Sequence, residues 1–184
     1  MLGGDVGRQY PPDMFGLLNV DKPAGPTSHD VVARVRRLLP RKTRVGHAGT
    51  LDPFARGVLV LCVGQATRLA DRVQSLPKRY SASVTLGRRS TTDDIEGELT
   101  DVPDARPVPR DVLIEALQRF RGHIRQTPPA YSAVHVEGRR AYRLARAGQA
   151  VRPAERTVRV HDIRLVRYDW PVAELDIACG SGTY

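Results

Sequence analysis

Gly46-His47-Ala48-Gly49-Thr50-Leu51-Asp52-Pro53 is the densest run of reactive residue types in the sequence. Two glycines permit tight backbone placement, and Pro53 fixes its own φ while driving Asp52 toward extended dihedrals. An aspartate held on such a loop suits nucleophilic or general-base chemistry, where an ångström of misplacement costs rate. The competing reading is a turn aspartate bonded to neighbouring amides, the commoner role before proline. His47 can orient a neighbour, donate to a phosphate or fill a turn. It stands five residues before Asp52, and no periodic pattern between them fixes their relative direction, so a Ser-His-Asp relay has no support.

Other chemistries are poorly supplied. The five histidines (His29, His47, His123, His135, His161) are scattered, neither Cys62 nor Cys179 has a partner at zinc-motif spacing, and no metal site is expected. There is no glycine-rich phosphate loop of the P-loop or dinucleotide type, so phosphate, if bound, meets arginines. Tyr80 follows Lys78 and Arg79, a grouping that suits stacking on an unpaired base while the cations hold its backbone; a core tyrosine fits the pattern equally. Tyr131 and Tyr142 with Arg139, Arg140, Arg143 and Arg146 form a second basic-aromatic patch. Asp93, Asp94 and Glu96 are acidic in a basic chain, which suggests local hydrogen bonding that orders their loop.

The elements that must position these groups follow from the hydrophobic pattern. Met1 to Asp13 reads as a flexible leader ending in Pro11-Pro12. Phe15 to Val20 reads as a strand, and Asp21 to Pro26 as a proline-stiffened turn. Thr27 and Asp30 form a capping box for a helix whose apolar face is Val31, Val32, Val35, Leu38 and Leu39, ending at Pro40. Arg34, Arg37, Arg41 and Lys42 flank that stripe, either as a solvated face or as a phosphate-contacting surface running into Arg44. Val45 to Gly57 shows neither period and reads as an ordered loop, and Val58 to Val63 as a strand buried on both faces. Ala66 to Leu76 reads as a short helix with Thr67 as an internal cap. Tyr80, Ala82, Val84 and Leu86 alternate as in a half-buried strand. Asp111 to Phe120 is helical, with Leu113, Leu117 and Phe120 inward. Val134 to Val136, Val158 to Leu165 and Val172 to Cys179 are strand-like around a helix over Arg140 to Ala147. Helix and strand mix without βαβ spacing, so the expected class is α+β.

Composition sets the partner class. The 184 residues carry 29 basic and 20 acidic side chains, a formal charge of +9, and only three lysines (Lys22, Lys42, Lys78). Arginine-borne charge of this size favours a polyanion such as nucleic acid. No apolar run is long enough for a membrane helix. No secretory signal is visible and two isolated cysteines suit a reducing compartment, so a cytoplasmic location is expected.

Together these segments resemble the TruB family of pseudouridine synthases, the bacterial tRNA pseudouridine-55 synthases. Phe15 to Ser28 (FGLLNVDKPAGPTS) is similar to the family's opening motif, and Val45 to Leu61 (VGHAGTLDPFARGVLVL) to its G-H-x-G-x-L-D-P-x-A-x-G motif. Lys78-Arg79-Tyr80 resembles its K-x-Y element. Gly87 to Gly97 resembles G-x-x-T-x-T-x-D-x-x-G, with Ser90 in place of the first threonine. Gln126 to Arg146 resembles the PPxxSAxKxxGxxxYxxAR segment, with His135 in place of the lysine. Gly180 to Tyr184 resembles the start of a G-T-Y-I-R element whose arginine the sequence does not reach.

The resemblance implies the pseudouridine-synthase catalytic fold, with a central mixed, mainly antiparallel sheet flanked by helices and loops. It implies residues 15–184 as the N-terminal portion of the catalytic domain, without its last strands and without a C-terminal PUA domain. It implies Asp52 as the catalytic nucleophile, with His47, Tyr80, Tyr184, Arg44 and Lys22 binding substrate. The partner is then the T arm of tRNA, the protein a monomer, and the chemistry free of metal and cofactor. A truncated chain of this kind is expected to have little activity alone. The alternatives are a non-catalytic RNA-binding or tRNA-folding protein, and a guide-RNA-dependent relative.

Overall fold

The computed structural model describes residues 14–132, 134–136 and 138–184. The expected leader, Met1 to Asp13, lies outside the described residues. The chain divides into two compact units, Met1–Ser75 and Leu76–Tyr184. The class is α+β, as expected. Among the described residues every strand pairing is antiparallel, and two principal sheets form, one in each unit.

In the first unit the elements run β1 (Gly16–Lys22), α1 (Ser28–Arg37), β2 (Val45–His47), β3 (Gly57–Val63), a 3-10 turn (Gly64–Leu69) and α2 (Ala70–Ser75). The sheet order is β1-β3-β2. Alternation sends Val20, Leu59 and Leu61 to one face, where α1 covers them with Val31, Val32 and Val35. Cys62 and Val60 point the other way, against Ala66, Ala70 and Val73. Burial pushes the Cys62 thiol above its ordinary range, which keeps it protonated and inert.

Helix α1 starts as its sequence requires. Thr27 Oγ1 accepts from the Asp30 amide at 3.1 Å, while Asp30 Oδ2 accepts from the Thr27 amide at 2.9 Å and from its hydroxyl at 2.6 Å. Those bonds hold the Asp30 carboxyl below its ordinary 3.8. A depressed carboxyl contributes stability above its unfolded value and loses it as pH falls through the folded one. Thr27→Ala is therefore expected to lower the melting temperature by roughly 2–4 °C at neutral pH. The gap from the parent should narrow as pH drops below the ordinary carboxylate value, as thermal melts across pH will show.

Four expectations in this unit are corrected. Val45 to His47 is a strand, pairing Val45 with Val63 and His47 with Leu61. At three residues, Val-Gly-His, the strand is too short to show a period. Val58 is 68% exposed, so β3 is not buried on both faces along its whole length. Leu38, 65% exposed, is the C-cap of α1 and has left the helical face. Thr67 sits inside the 3-10 turn, its hydroxyl donating to the Gly64 carbonyl at 2.8 Å, so it does not cap a helix.

The second unit contains β4 (Lys78–Thr85), the hairpin of β5 (Arg88–Ser90) and β6 (Leu99–Asp101), α3 (Arg110–Gln118), β7 (Gly122–Gln126), the hairpin of β8 (His135–Val136) and β9 (Arg139–Arg140), α4 (Ala141–Arg146), β10 (Arg156–Asp169) and β11 (Val172–Cys179). The main sheet is ordered β4-β11-β10-β7. Ala173, Leu175 and Cys179 alternate inward on β11, as expected, and pack with Val160, Ile163 and Leu117 of α3. Phe120 is 54% exposed because α3 ends at Gln118, two residues before it. Strand β7 has no visible alternation and was not expected; its pairing to β10 creates it.

Candidate active site

The turn between β1 and α1 holds two prolines, which lack amide hydrogens. Its carbonyls must find donors elsewhere, and Lys22 supplies them. The side chain is 0% exposed, and its ammonium donates to the carbonyls of Pro23 (3.0 Å), Pro26 (2.8 Å) and Pro53 (3.2 Å). A buried ammonium is tolerable because all three of its hydrogens are met. The Pro53 bond ties the turn to the residue after Asp52. Gly25, at φ 108, adds a second tie by donating its amide to Pro53 O at 2.8 Å. That φ lies in the region open to glycine.

The residue before Asp52 is held from the other side. Ser28, buried in the first turn of α1, donates its hydroxyl to Leu51 O and accepts from the Leu51 amide, both at 2.9 Å. Thr27 already serves as the helix cap, which leaves the Ser28 hydroxyl for this clamp. The Ala55 amide closes a turn on the Asp52 carbonyl at 3.1 Å. Backbone on both sides of Asp52 is thus hydrogen-bonded to the same turn and helix start, while Asp52 itself is exposed.

His47 ends β2 and is half-buried, its Nδ1 donating to the Gly49 carbonyl at 2.5 Å. A carbonyl only accepts, so Nδ1 carries a proton. Arg44 is exposed just before β2, and its carbonyl accepts from the Gly64 amide at 2.8 Å. The first unit therefore collects Lys22, Asp52, His47 and Arg44 on one sheet-and-helix frame. Lys22 stands apart from the expectation of substrate binding, since its enclosed ammonium is spent on the three carbonyls.

In the second unit, Tyr80 on β4 is paired with Ile177 and is exposed at the sheet edge. Its neighbour Lys78 donates to Leu76 O at 2.6 Å, and burial pulls its ammonium below the ordinary value. Arg79, on the opposite face, forms a two-point pair with Asp176, whose carboxyl it holds down. Tyr184 lies beyond the end of β11. Gln126 receives its amide at 3.0 Å and donates to its carbonyl, and the Arg156 guanidinium lies 5.1 Å from the ring centroid. Gln126, Arg156 and Ser28 were not singled out from the sequence; the signal available for Ser28 was a second hydroxyl beside a cap that needs only one.

The Ser90–Gly97 loop is ordered by its own side chains, as its composition suggested. Thr92 Oγ1 donates to Asp94 Oδ1 at 2.5 Å, and the same oxygen accepts from the Glu96 amide at 2.9 Å. On α4 the Tyr142 ring lies 5.7 Å from the Arg146 guanidinium and 6.0 Å from that of Arg143. Among the described residues no group of His, Cys, Asp or Glu is placed to hold a metal.

The architecture is similar to that of a chain in a Cbf5–Nop10–Gar1 complex, with a TM-score of 0.68 and 30% identity, covering 92% of this chain and 41% of that one. A chain in an H/ACA RNP bound to a substrate RNA containing 2′-deoxyuridine matches with a TM-score of 0.62 and 25% identity, over 98% of this chain and 47% of that one. The fold is thus that of the pseudouridine-synthase catalytic domain. The tRNA pseudouridine synthase B of Trichormus variabilis is 48% identical over 176 residues, covering 93% of this chain and 59% of that protein. The protein of the same name in Mycobacterium tuberculosis is 44% identical over 173 residues, covering 92% of this chain and 58% of that protein. The chain spans about three fifths of the length of these relatives. Residues 36–184 match the TruB family pseudouridylate synthase (N terminal domain), and the chain belongs to that family.

Proposed function

We propose that the chain is the N-terminal catalytic portion of a tRNA pseudouridine synthase that converts a uridine of the T loop to pseudouridine. The observation that carries this reading is the exposed Asp52 on a loop clamped by Ser28, Gly25 and Lys22. Family membership and the names of the curated relatives supply the reaction class. A uridine stacked in a folded loop must leave the stack before its glycosidic bond can be reached. Asp52 then either adds to C6 of the ring or abstracts the C2′ proton. Both routes break N1–C1′, turn the uracil, form C5–C1′ and release the C5 proton, leaving N1 protonated. The reaction is an isomerisation and needs no oxidant, metal or cofactor.

Tyr80 and Tyr184 bring aromatic faces suited to an extruded base, and His47 and Arg44 bring donors suited to the backbone of the loop. Gln126 holds the Tyr184 backbone, and the Arg156 guanidinium lies over its ring. The complete protein is expected to be cytoplasmic and to act as a monomer on the T arm.

The test is release of tritium from C5-labelled uridine in unmodified tRNA. Release is expected from the parent tRNA and absent from one carrying cytidine at the T-loop target. Binding of both RNAs without release would favour the tRNA-folding alternative.

A further inference from the structure

From Val31 to Leu51 the sequence holds six arginines and lysines and no acidic residue. Among the described residues none of Arg34, Arg36, Arg37, Arg41, Lys42 and Arg44 forms an ion pair. In the second unit Arg79, Arg88, Arg121, Arg125 and Arg164 each meet a carboxylate, whereas Arg119, Arg143 and Arg167 form no ion pair among the described residues. The positive charge between Val31 and Leu51 is therefore concentrated, with no acidic residue along that stretch.

Part of that charge is gathered around a hollow. At the far end of α1 from the Asp52 loop, Arg36, Lys42, Thr43, Arg44, Gly46 and Thr67 line a concavity of about 440 Å³. Arg36 is fixed there by donating from Nη2 to Val45 O at 3.0 Å, with its other N–H groups remaining. Lys42 is presented by a turn that places it at φ 70, a left-handed conformation unusual for a lysine. The helix dipole explains cations in the last turn of α1, but Lys42 and Arg44 lie beyond that turn.

We infer that this hollow is a binding site for a phosphodiester of the RNA backbone, distinct from contacts at the reacting nucleotide. The inference rests on the proposed RNA substrate and specifies where its strand runs. Ser28 touches the Asp52 loop at one end of α1, and Arg36 bonds Val45 at the other. Eight helical steps separate them by about 12 Å. At roughly 3.4 Å per stacked nucleotide, that is a phosphate several residues away from the uridine being isomerised. Three cations converging on a concave surface neutralise such a group without reading its base.

The experiment uses the full-length protein and a Lys42→Asn/Arg44→Gln double variant. Asparagine accepts the left-handed φ at position 42, so the turn is preserved. RNA affinity is measured by filter binding or fluorescence over a range of salt. The double variant should bind about tenfold more weakly at low salt, with a log K against log salt slope shallower by roughly 1.5. Arg88→Gln, which removes a cation already paired with Asp101, should leave the slope as it was. An unchanged slope and affinity in the double variant would overturn the site, and so would an equal loss in Arg88→Gln. The pseudouridine assay separates the two claims. Binding that loses slope in a protein forming no pseudouridine upholds the phosphate site and removes the catalytic reading; pseudouridine formation with an unchanged slope does the reverse.

Discussion

Asp52→Asn in the complete protein is expected to lower pseudouridine formation by on the order of 10⁴-fold or more, with RNA affinity within about twofold of the parent. The amide is nearly isosteric with the carboxylate, so the loop can keep its shape. Ser28 bonds both backbone groups of Leu51, and Gly25 and Lys22 bond the carbonyl of Pro53, contacts that do not use the Asp52 carboxylate. What disappears is the anion. An uncharged amide neither adds to C6 of the uracil ring nor takes the C2′ proton, so both candidate routes stop at the same atom. Affinity should persist because phosphate contacts supply most of it. Single-turnover tritium release and equilibrium binding measure the two quantities separately. A variant that releases tritium within tenfold of the parent would remove Asp52 from the chemistry.

Lys22→Met is expected to be the most damaging single change for stability, although residue 22 touches no surface. Methionine replaces the apolar stem at similar length and removes the ammonium. The carbonyls of Pro23, Pro26 and Pro53 then lose a charged donor together. Leaving a buried acceptor unmet costs about 1–3 kcal/mol. The loss of buried charge returns part of this, and a net cost of about 3 kcal/mol is the expectation. In a chain of this size that lowers the melting temperature by roughly 6–12 °C. Turnover of the folded fraction should fall about 100-fold, since the Pro53 carbonyl is one of the anchors that aim Asp52. Thermal melting and kcat at saturating tRNA are the two readouts. An unshifted melting temperature would mean that the three bonds are not needed to hold the turn.

The contrast between these two residues shows which parts of the site can be read along the chain. Asp52 is legible because its constraint is local: a proline follows it and two glycines precede it. The start of α1 is legible for the same reason, since Thr27 and Asp30 satisfy each other across three residues. The inward side of β11 is legible because Ala173, Leu175 and Cys179 alternate against a core. Lys22 is not legible, because lysine ordinarily lies in solvent and only the arrival of Pro53, 31 residues on, makes its burial tolerable. Strands β2 and β7 were likewise invisible, their pairing partners β3 and β10 being what makes them strands.

The sequence by itself determined the class of fold, the family motifs, the basic character and the loop on which Asp52 sits, because short-range sterics, capping and periodicity act between near neighbours. Tertiary structure decided that Lys22 is a strut, that Ser28 clamps Leu51, that Val58 and Phe120 face outward, and that Arg36, Lys42 and Arg44 surround one hollow. Those outcomes depend on where distant carbonyls, strands and cations converge, and convergence at a distance is set by packing.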